Sequence, residues 1–198
     1  MASILVVCTG NVCRSPIAEG ALRAALEDRL GDGAPAVSSA GTAGWEGSGA
    51  MPESVEAAAE RGLDIAGHAA RRLAPGQIRS ADLVVTMAVE HREDVARLVP
   101  EASGRTFTLK ELVRLLEALP ATDDAASDTV PERVARADAL RRSGFRGNPW
   151  DEDVVDPLGL PLDSYRAIAW EIDEWCRRLA DVLVGRARPR SVVASEGE

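Results

Sequence analysis

The chain has little of several things that would place it in a class outright. Three cysteines, Cys8, Cys13 and Cys176, are an odd and sparse set for 198 residues. That count argues against the disulfide framework of a small secreted domain and suits a reducing compartment. The two histidines come with no Cys/His cluster at ligand spacing, so no metal is expected. No apolar run approaches the roughly 20 residues of a membrane span. The start lacks a charged segment followed by a signal-type apolar run, residues 4–7 being too few. The expectation is therefore a cytoplasmic protein with no membrane partner. Lys110 is the only lysine among 23 basic residues, and 32 acidic residues bring the net charge to -9. That charge disfavours a nucleic-acid partner. Nothing in the composition calls for a cofactor or sets the oligomeric state.

Periodicity supplies the architecture. Strand-like runs fall at residues 3–7, 36–39, 81–86 and 105–107. Helical patterns fall at 16–30, 52–62, 89–98, 109–119 and 164–184. In the last of these, Ile168, Ile172, Trp175, Leu179 and Val182 recur at helical spacing, and Trp170 and Trp175 are assigned to its packing. Strands alternating with helices imply an α/β fold, a parallel sheet covered by helices on both faces. Ligands of such folds bind beyond the carboxyl ends of the strands. Residues 120–150, acidic and then arginine-rich, read as a partly mobile insertion with a short helix at 131–143. Residues 185–198 read as a flexible tail, which leaves one domain over residues 1–184.

One segment carries the chemistry. The apolar run Ile4-Leu5-Val6-Val7 ends in Cys8-Thr9-Gly10-Asn11-Val12-Cys13-Arg14-Ser15-Pro16. A strand, a short loop and a proline-opened helix aim backbone N–H groups and a positive helix end at one spot. A phosphoryl group would be held by the loop Thr9, Gly10, Asn11, Val12, Cys13, Arg14 and Ser15. Cys8, at the start of that anion site, is placed as a nucleophile. Arg14 can bind two phosphoryl oxygens and follow their charge into the transition state. Ser15 can hydrogen-bond the thiolate and help it leave. Asn11 tolerates left-handed backbone and can brace the loop with its amide. Displacement of an alkoxide or phenolate also needs a proton donor. Asp156, held extended by Pro157, is one candidate, and Asp151 and Asp153 are neighbouring alternatives. Trp45, in a glycine-rich stretch, either packs on the body or lines a cleft. Trp150 and Tyr165 are further wall candidates, with core packing the stronger reading.

The same loop resembles the signature of the low-molecular-weight protein tyrosine phosphatases. Ser38-Ser39-Ala40-Gly41-Thr42, Gly67-His68-Ala69-Ala70-Arg71 and Asp82-Leu83-Val84-Val85-Thr86-Met87 are similar to later landmarks of that family. The resemblance implies a single three-layer domain with a four-stranded parallel sheet and the phosphate loop after the first strand. It implies Cys8 as nucleophile, Arg14 as phosphate ligand and Asp156 as general acid, with Ser39 and His68 as supporting residues. It puts Val12, Trp45 and Leu158 in the substrate pocket. Leu158 departs from the family, which usually has an aromatic residue after Asp-Pro. In the family the second cysteine, here Cys13, can bridge to an oxidised nucleophile. A small packed residue is the other reading of Cys13.

The implied function is hydrolysis of phosphotyrosine in phosphorylated proteins or peptides through a phosphocysteine intermediate. Phe107-Thr108-Leu109-Lys110-Glu111, Asp156-Pro157-Leu158-Gly159 and Tyr165 are similar to the family's protein arginine phosphatase branch, the alternative. That branch has threonine where this chain has Val12, a side chain with no hydroxyl. Two further readings rank lower. An arsenate reductase would need relay cysteines between Cys13 and Cys176, and there are none. A phosphate-binding module without turnover would not need Cys8, Arg14 and Asp156 together.

Overall fold

The computed structural model describes residues 2–119 and 128–184. Four strands, β1 (Ser3–Cys8), β2 (Ala36–Gly41), β3 (Leu83–Thr86) and β4 (Thr106–Thr108), form an all-parallel sheet in the order β2-β1-β3-β4. Seven helices accompany them among the described residues. These are α1 (Arg14–Leu30), α2 (Pro52–Ala59), α3 (Pro75–Ser80), α4 (Val89–Leu98), α5 (Leu109–Glu117), α6 (Val130–Arg142) and α7 (Leu162–Val184). None is long and apolar enough to cross a membrane.

The alternation of side chains along each strand builds two cores. Ile4, Val6, Leu83, Val85 and Phe107 face one side and pack with α1, α2, α5, α6 and α7. Leu5, Val7 and Val84 face the other and pack with Ile78 of α3 and Val95 of α4. A strand buried on both faces needs apolar residues at nearly every position, which is why the central strands β1 and β3 read as continuous apolar runs. Each fully buried aliphatic side chain, such as Ile17 or Leu26 of α1, contributes about 1.5–3 kcal/mol.

The helix ends follow local chemistry. α1 stops at Gly31, whose φ of 57° suits a residue without a Cβ. α5 starts in a capping box: Thr108 Oγ1 accepts the Glu111 N–H at 3.2 Å, and the Glu111 carboxylate accepts the Thr108 N–H at 3.3 Å.

Several sequence expectations shift. α3 falls in a stretch with no expected helix, because six residues are too few to show a period. β3 begins at Leu83, two residues later than expected, and Asp82 before it accepts the Ser3 N–H on its carboxylate at 2.8 Å. β4 lies one residue further on than expected. Trp170 is a correction: it is 57% exposed on α7, on the helix face away from the core. Trp175 does pack against the core, with the guanidinium groups of Arg114 and Arg178 over its ring at 5.1 and 4.0 Å. Within 120–150, α6 sends Val130, Val134 and Ala137 into the larger core. Residues 120–127 and the tail at 185–198 lie outside the described residues.

Candidate active site

The strand order reverses at β1, since β2 lies on one side of it and β3 on the other. A crevice opens at the carboxyl ends of such strands, and Cys8 is the last residue of β1. The loop from Cys8 to Cys13 crosses this crevice and enters α1.

Five successive carbonyls of the loop are tied from outside. Cys8 O accepts the Thr42 N–H at 2.9 Å, Thr9 O that of Ala43 at 2.9 Å, and Gly10 O that of Trp45 at 3.1 Å. Val12 O accepts the Met51 N–H at 2.8 Å, and Asn11 O accepts His68 Nε2–H at 2.8 Å. Because a trans peptide sets N–H opposite C=O, the N–H groups of residues 9 to 13 turn to the inner side of the loop. The Asn11 N–H points at Cys8 Sγ, 3.3 Å away. The strand beside the loop has to be bare for this to work. A Cβ on Gly41 would lie 2.5 Å from Thr9 O, so no larger residue fits there.

Asn11 is the brace. Its φ of 58° is left-handed and its side chain is fully buried. Oδ1 accepts the Arg71 N–H at 2.8 Å, which fixes the amide's orientation. Nδ2 then donates to Ser15 Oγ and to Ser39 Oγ, each at 2.8 Å. Having accepted those bonds, Ser39 donates to Glu19 Oε2 at 2.6 Å and Ser15 donates to Cys8 Sγ at 3.0 Å. A continuous chain of hydrogen bonds therefore ends on the sulfur. His68 joins it through the loop carbonyl, and because a carbonyl can only accept, its hydrogen is on Nε2.

Arg14 is 4% exposed. Nη1 donates to Val154 O at 3.0 Å, and Nη2 donates to Thr9 Oγ1 at 3.1 Å and to Asp156 Oδ2 at 2.5 Å. Cys8, Thr9, Gly10, Val12, Cys13, Arg14, Trp45, Asp156 and Leu158 line one cavity. Trp45 and Leu158, 46% and 44% exposed, stand at its mouth.

Of the three candidate acids, only Asp156 reaches this cavity. Asp151 is held by Lys110 at 2.7 Å and Arg114 at 2.5 Å, and those cations keep its carboxyl below the usual range. Asp153 accepts the Val89 N–H at 2.8 Å and so caps α4. Glu152 pairs with Arg92 at 3.0 Å. With the Val154 N–H donated to Met87 O at 2.8 Å, the segment leading to Asp156 is fastened residue by residue.

Two wall candidates lie elsewhere. Trp150 is 96% exposed and does not line the cavity. Tyr165 is buried and does not line the cavity, and burial is the main cause pushing its hydroxyl up to about 12, with the Cys13 thiol a smaller one. The Cys13 thiol is itself pushed up to about 11, chiefly by burial. Among the described residues no group of His, Cys, Asp and Glu is placed to hold a metal ion.

Sequence reading missed Glu19 and His91. Glu19 is four residues after Ser15, on the same face of α1, and that spacing was a usable signal. His91 sits on the first turn of α4, which begins at the carboxyl end of β3, beside β1. Only the strand order makes it a neighbour of the loop.

Residues 3–121 match the family model for low molecular weight phosphotyrosine protein phosphatase. The phosphatase Etp of Escherichia coli K12, named a low molecular weight protein-tyrosine-phosphatase, is 41% identical over 105 residues, 53% of this chain and 67% of its own. A protein-arginine-phosphatase of Geobacillus stearothermophilus is 33% identical over 180 residues, covering 91% of this chain and 95% of its own. The solved structure of a low molecular weight protein tyrosine phosphatase from T. tengcongensis superposes with a TM-score of 0.68 at 32% identity, over 91% of this chain and 99% of that one. Loop, sheet order and relatives agree: the chain belongs to the low molecular weight phosphotyrosine protein phosphatase family of cysteine-dependent phosphatases.

Proposed function

We propose that this protein hydrolyses phosphotyrosine in phosphorylated proteins, through a phosphocysteine formed on Cys8. One observation carries the reading: Cys8 Sγ lies under a loop whose N–H groups are turned inward, in the same cavity as Arg14 and Asp156. In the first step the phosphoryl oxygens occupy the N–H groups of Thr9 to Ser15 and the Arg14 guanidinium. Cys8 sulfur forms a bond to phosphorus as the bond to the tyrosyl oxygen breaks. That oxygen takes the proton of Asp156. In the second step the Asp156 carboxylate takes a proton from water. The water oxygen bonds to phosphorus, and the sulfur leaves as thiolate, stabilised by Ser15 Oγ–H and the Asn11 N–H. Ser39 and His68 hold Asn11, while Val12, Trp45 and Leu158 flank the leaving group.

The test is release of phosphate from a phosphotyrosine peptide. Cys8→Ser should abolish it and Asp156→Asn should slow it strongly, since both steps use that carboxyl group. Full turnover by Cys8→Ser would end the reading.

A second reading, protein arginine phosphatase, is favoured by the match to the Geobacillus stearothermophilus relative along 91% of this chain. Val12 weighs against it, having no hydroxyl to meet a phosphoguanidine or orient water. Parallel kinetics on phosphotyrosine and phosphoarginine peptides separate the two.

The proposal extends to residues 1–184 as one phosphatase domain in the cytoplasm, where a thiol nucleophile stays reduced. It also extends to Cys13 as a resolving thiol. Peroxide would turn Cys8 into a sulfenic acid, and the Cys13 thiol would displace water from it to form a disulfide. Peroxide inactivation should then be reversible by a thiol reductant in the native protein and not in Cys13→Ala.

A further inference from the structure

We propose that His91 is a positioning residue, which holds Thr9 and through it keeps the Arg14 guanidinium in register with the phosphate site. The inference rests on the reading of Cys8 and Arg14 given above. His91 is 1% exposed at the start of α4. Its Nε2 lies 2.9 Å from Thr9 Oγ1 and 3.4 Å from Glu90 Oε1. Both neighbours offer oxygen lone pairs, so the hydrogen sits on Nε2 and His91 donates to Thr9. The opposite tautomer would turn a bare nitrogen toward the Glu90 carboxylate and bury a hydrogen on Nδ1.

Nδ1 is buried with no hydrogen-bond partner. Packing alone does not favour such a residue, since an apolar side chain would fill the space without stranding a polar atom. What the imidazole adds is the bond to Thr9. Thr9 Oγ1 then receives two donors, His91 Nε2 and Arg14 Nη2, the second at 3.1 Å. Its own hydrogen is left to project in a third direction, and Thr9 lines the cavity.

The charge state supports a geometric role. Arg14 on α1, Glu90 and Asp94 on α4, and Asp153 and Asp156 on the segment beside it are the charged groups around the ring. Burial and the Arg14 charge outweigh the carboxylates and push His91 down to about 4. The ring is neutral at neutral pH, so it orients Thr9 without adding a cation beside Arg14. Its effect should be largest when a phosphate draws Arg14 away from Asp156. Thr9 and Val154 O are then the protein contacts left to hold the guanidinium plane.

The test compares His91→Ala, His91→Gln, Thr9→Val and the double variant Thr9→Val/His91→Ala on p-nitrophenyl phosphate, with inorganic vanadate as inhibitor. His91→Ala should lower kcat and weaken vanadate inhibition by about tenfold to a hundredfold each, the upper figure being the cost of an ångström's misplacement. KM should change less. His91→Gln, whose amide can reach Thr9, should restore both. In the Thr9→Val background His91→Ala should have no further effect, because the two act as one unit. Wild-type kinetics in His91→Ala, or effects that add in full in the double variant, overturn the proposal. If His91→Ala fails to fold, Thr9→Val decides, and an unchanged kcat there also overturns it. Cys8→Ser run in parallel separates the failures. Activity in Cys8→Ser condemns the site reading, whereas a dead Cys8→Ser with unaffected His91 variants condemns this proposal alone.

Discussion

Arg14 and Asp156 lie 2.5 Å apart across the mouth of the phosphate loop, 142 residues apart in the chain. The cation proposed to bind phosphate thus rests against the group that, once protonated, is proposed to donate the proton. The pair has two consequences. It keeps Asp156 within reach of the leaving group, and it makes the carboxylate a competitor of phosphate for one guanidinium.

Asp156→Asn separates those effects. Loss of the acid should lower kcat about 10²–10⁴-fold. Loss of the competing charge should make inorganic phosphate a tighter competitive inhibitor. Steady-state kinetics with p-nitrophenyl phosphate and added phosphate measures both, and unchanged phosphate inhibition would mean the pair does not compete.

Asn11→Ala should fold less stably by about 2–4 kcal/mol. Three hydrogen bonds to buried or backbone partners are lost, at about 1 kcal/mol each, and alanine tolerates the left-handed φ of 58° less well. Urea unfolding checks this. Asn11→Asp keeps the acceptor for Arg71 but loses the donors to Ser15 and Ser39 and sets a negative charge near Cys8. It should lose activity by more than its stability loss explains.

Val12→Thr puts a hydroxyl into the cavity lining. The ratio of kcat/KM for phosphoarginine over phosphotyrosine peptides should rise, by about tenfold for one added hydrogen bond. No shift would remove Val12 as the determinant of leaving-group choice.

Alkaline pH should weaken the fold. Burial raises Cys13 from an ordinary 9.0 to about 11, so in that interval the unfolded chain releases a proton that the native chain keeps. The stability this thiol contributes is full below about 9 and is lost as pH rises toward about 11. Tyr165, raised to about 12, and Cys176, raised by complete burial, act in the same direction. Urea midpoints from pH 8 to 11 should fall, and fall less in Cys176→Ala than in the native chain.

The loop from Cys8 to Ser15 was legible because it is local. One strand end, five loop residues and one helix start are enough to set a thiol and a guanidinium on the same turn. The strands and long helices were legible too, since a sheet buried on both faces and an amphipathic α7 leave periodic marks. Trp170 misled because helical spacing alone does not say which side of α7 meets the core. α3 left no mark, being shorter than the pattern that would reveal it.

Ser39, His68 and Asp156 were legible only through the family resemblance, and tertiary structure decided how they reach the loop. Ser39, Arg71, His91 and Asp156 arrive from 28, 60, 82 and 142 residues away from the residues they bond. No periodicity encodes those distances. They follow from the order β2-β1-β3-β4, which sets three strand ends side by side and brings the start of α4 and the Asp156 segment over the same crevice. The sequence by itself determined that a thiol and an arginine share one strand–loop–helix turn. The packing of a parallel sheet decided which residues hold them there, because parallel strands deliver their carboxyl ends, and whatever follows each, to one edge of the molecule.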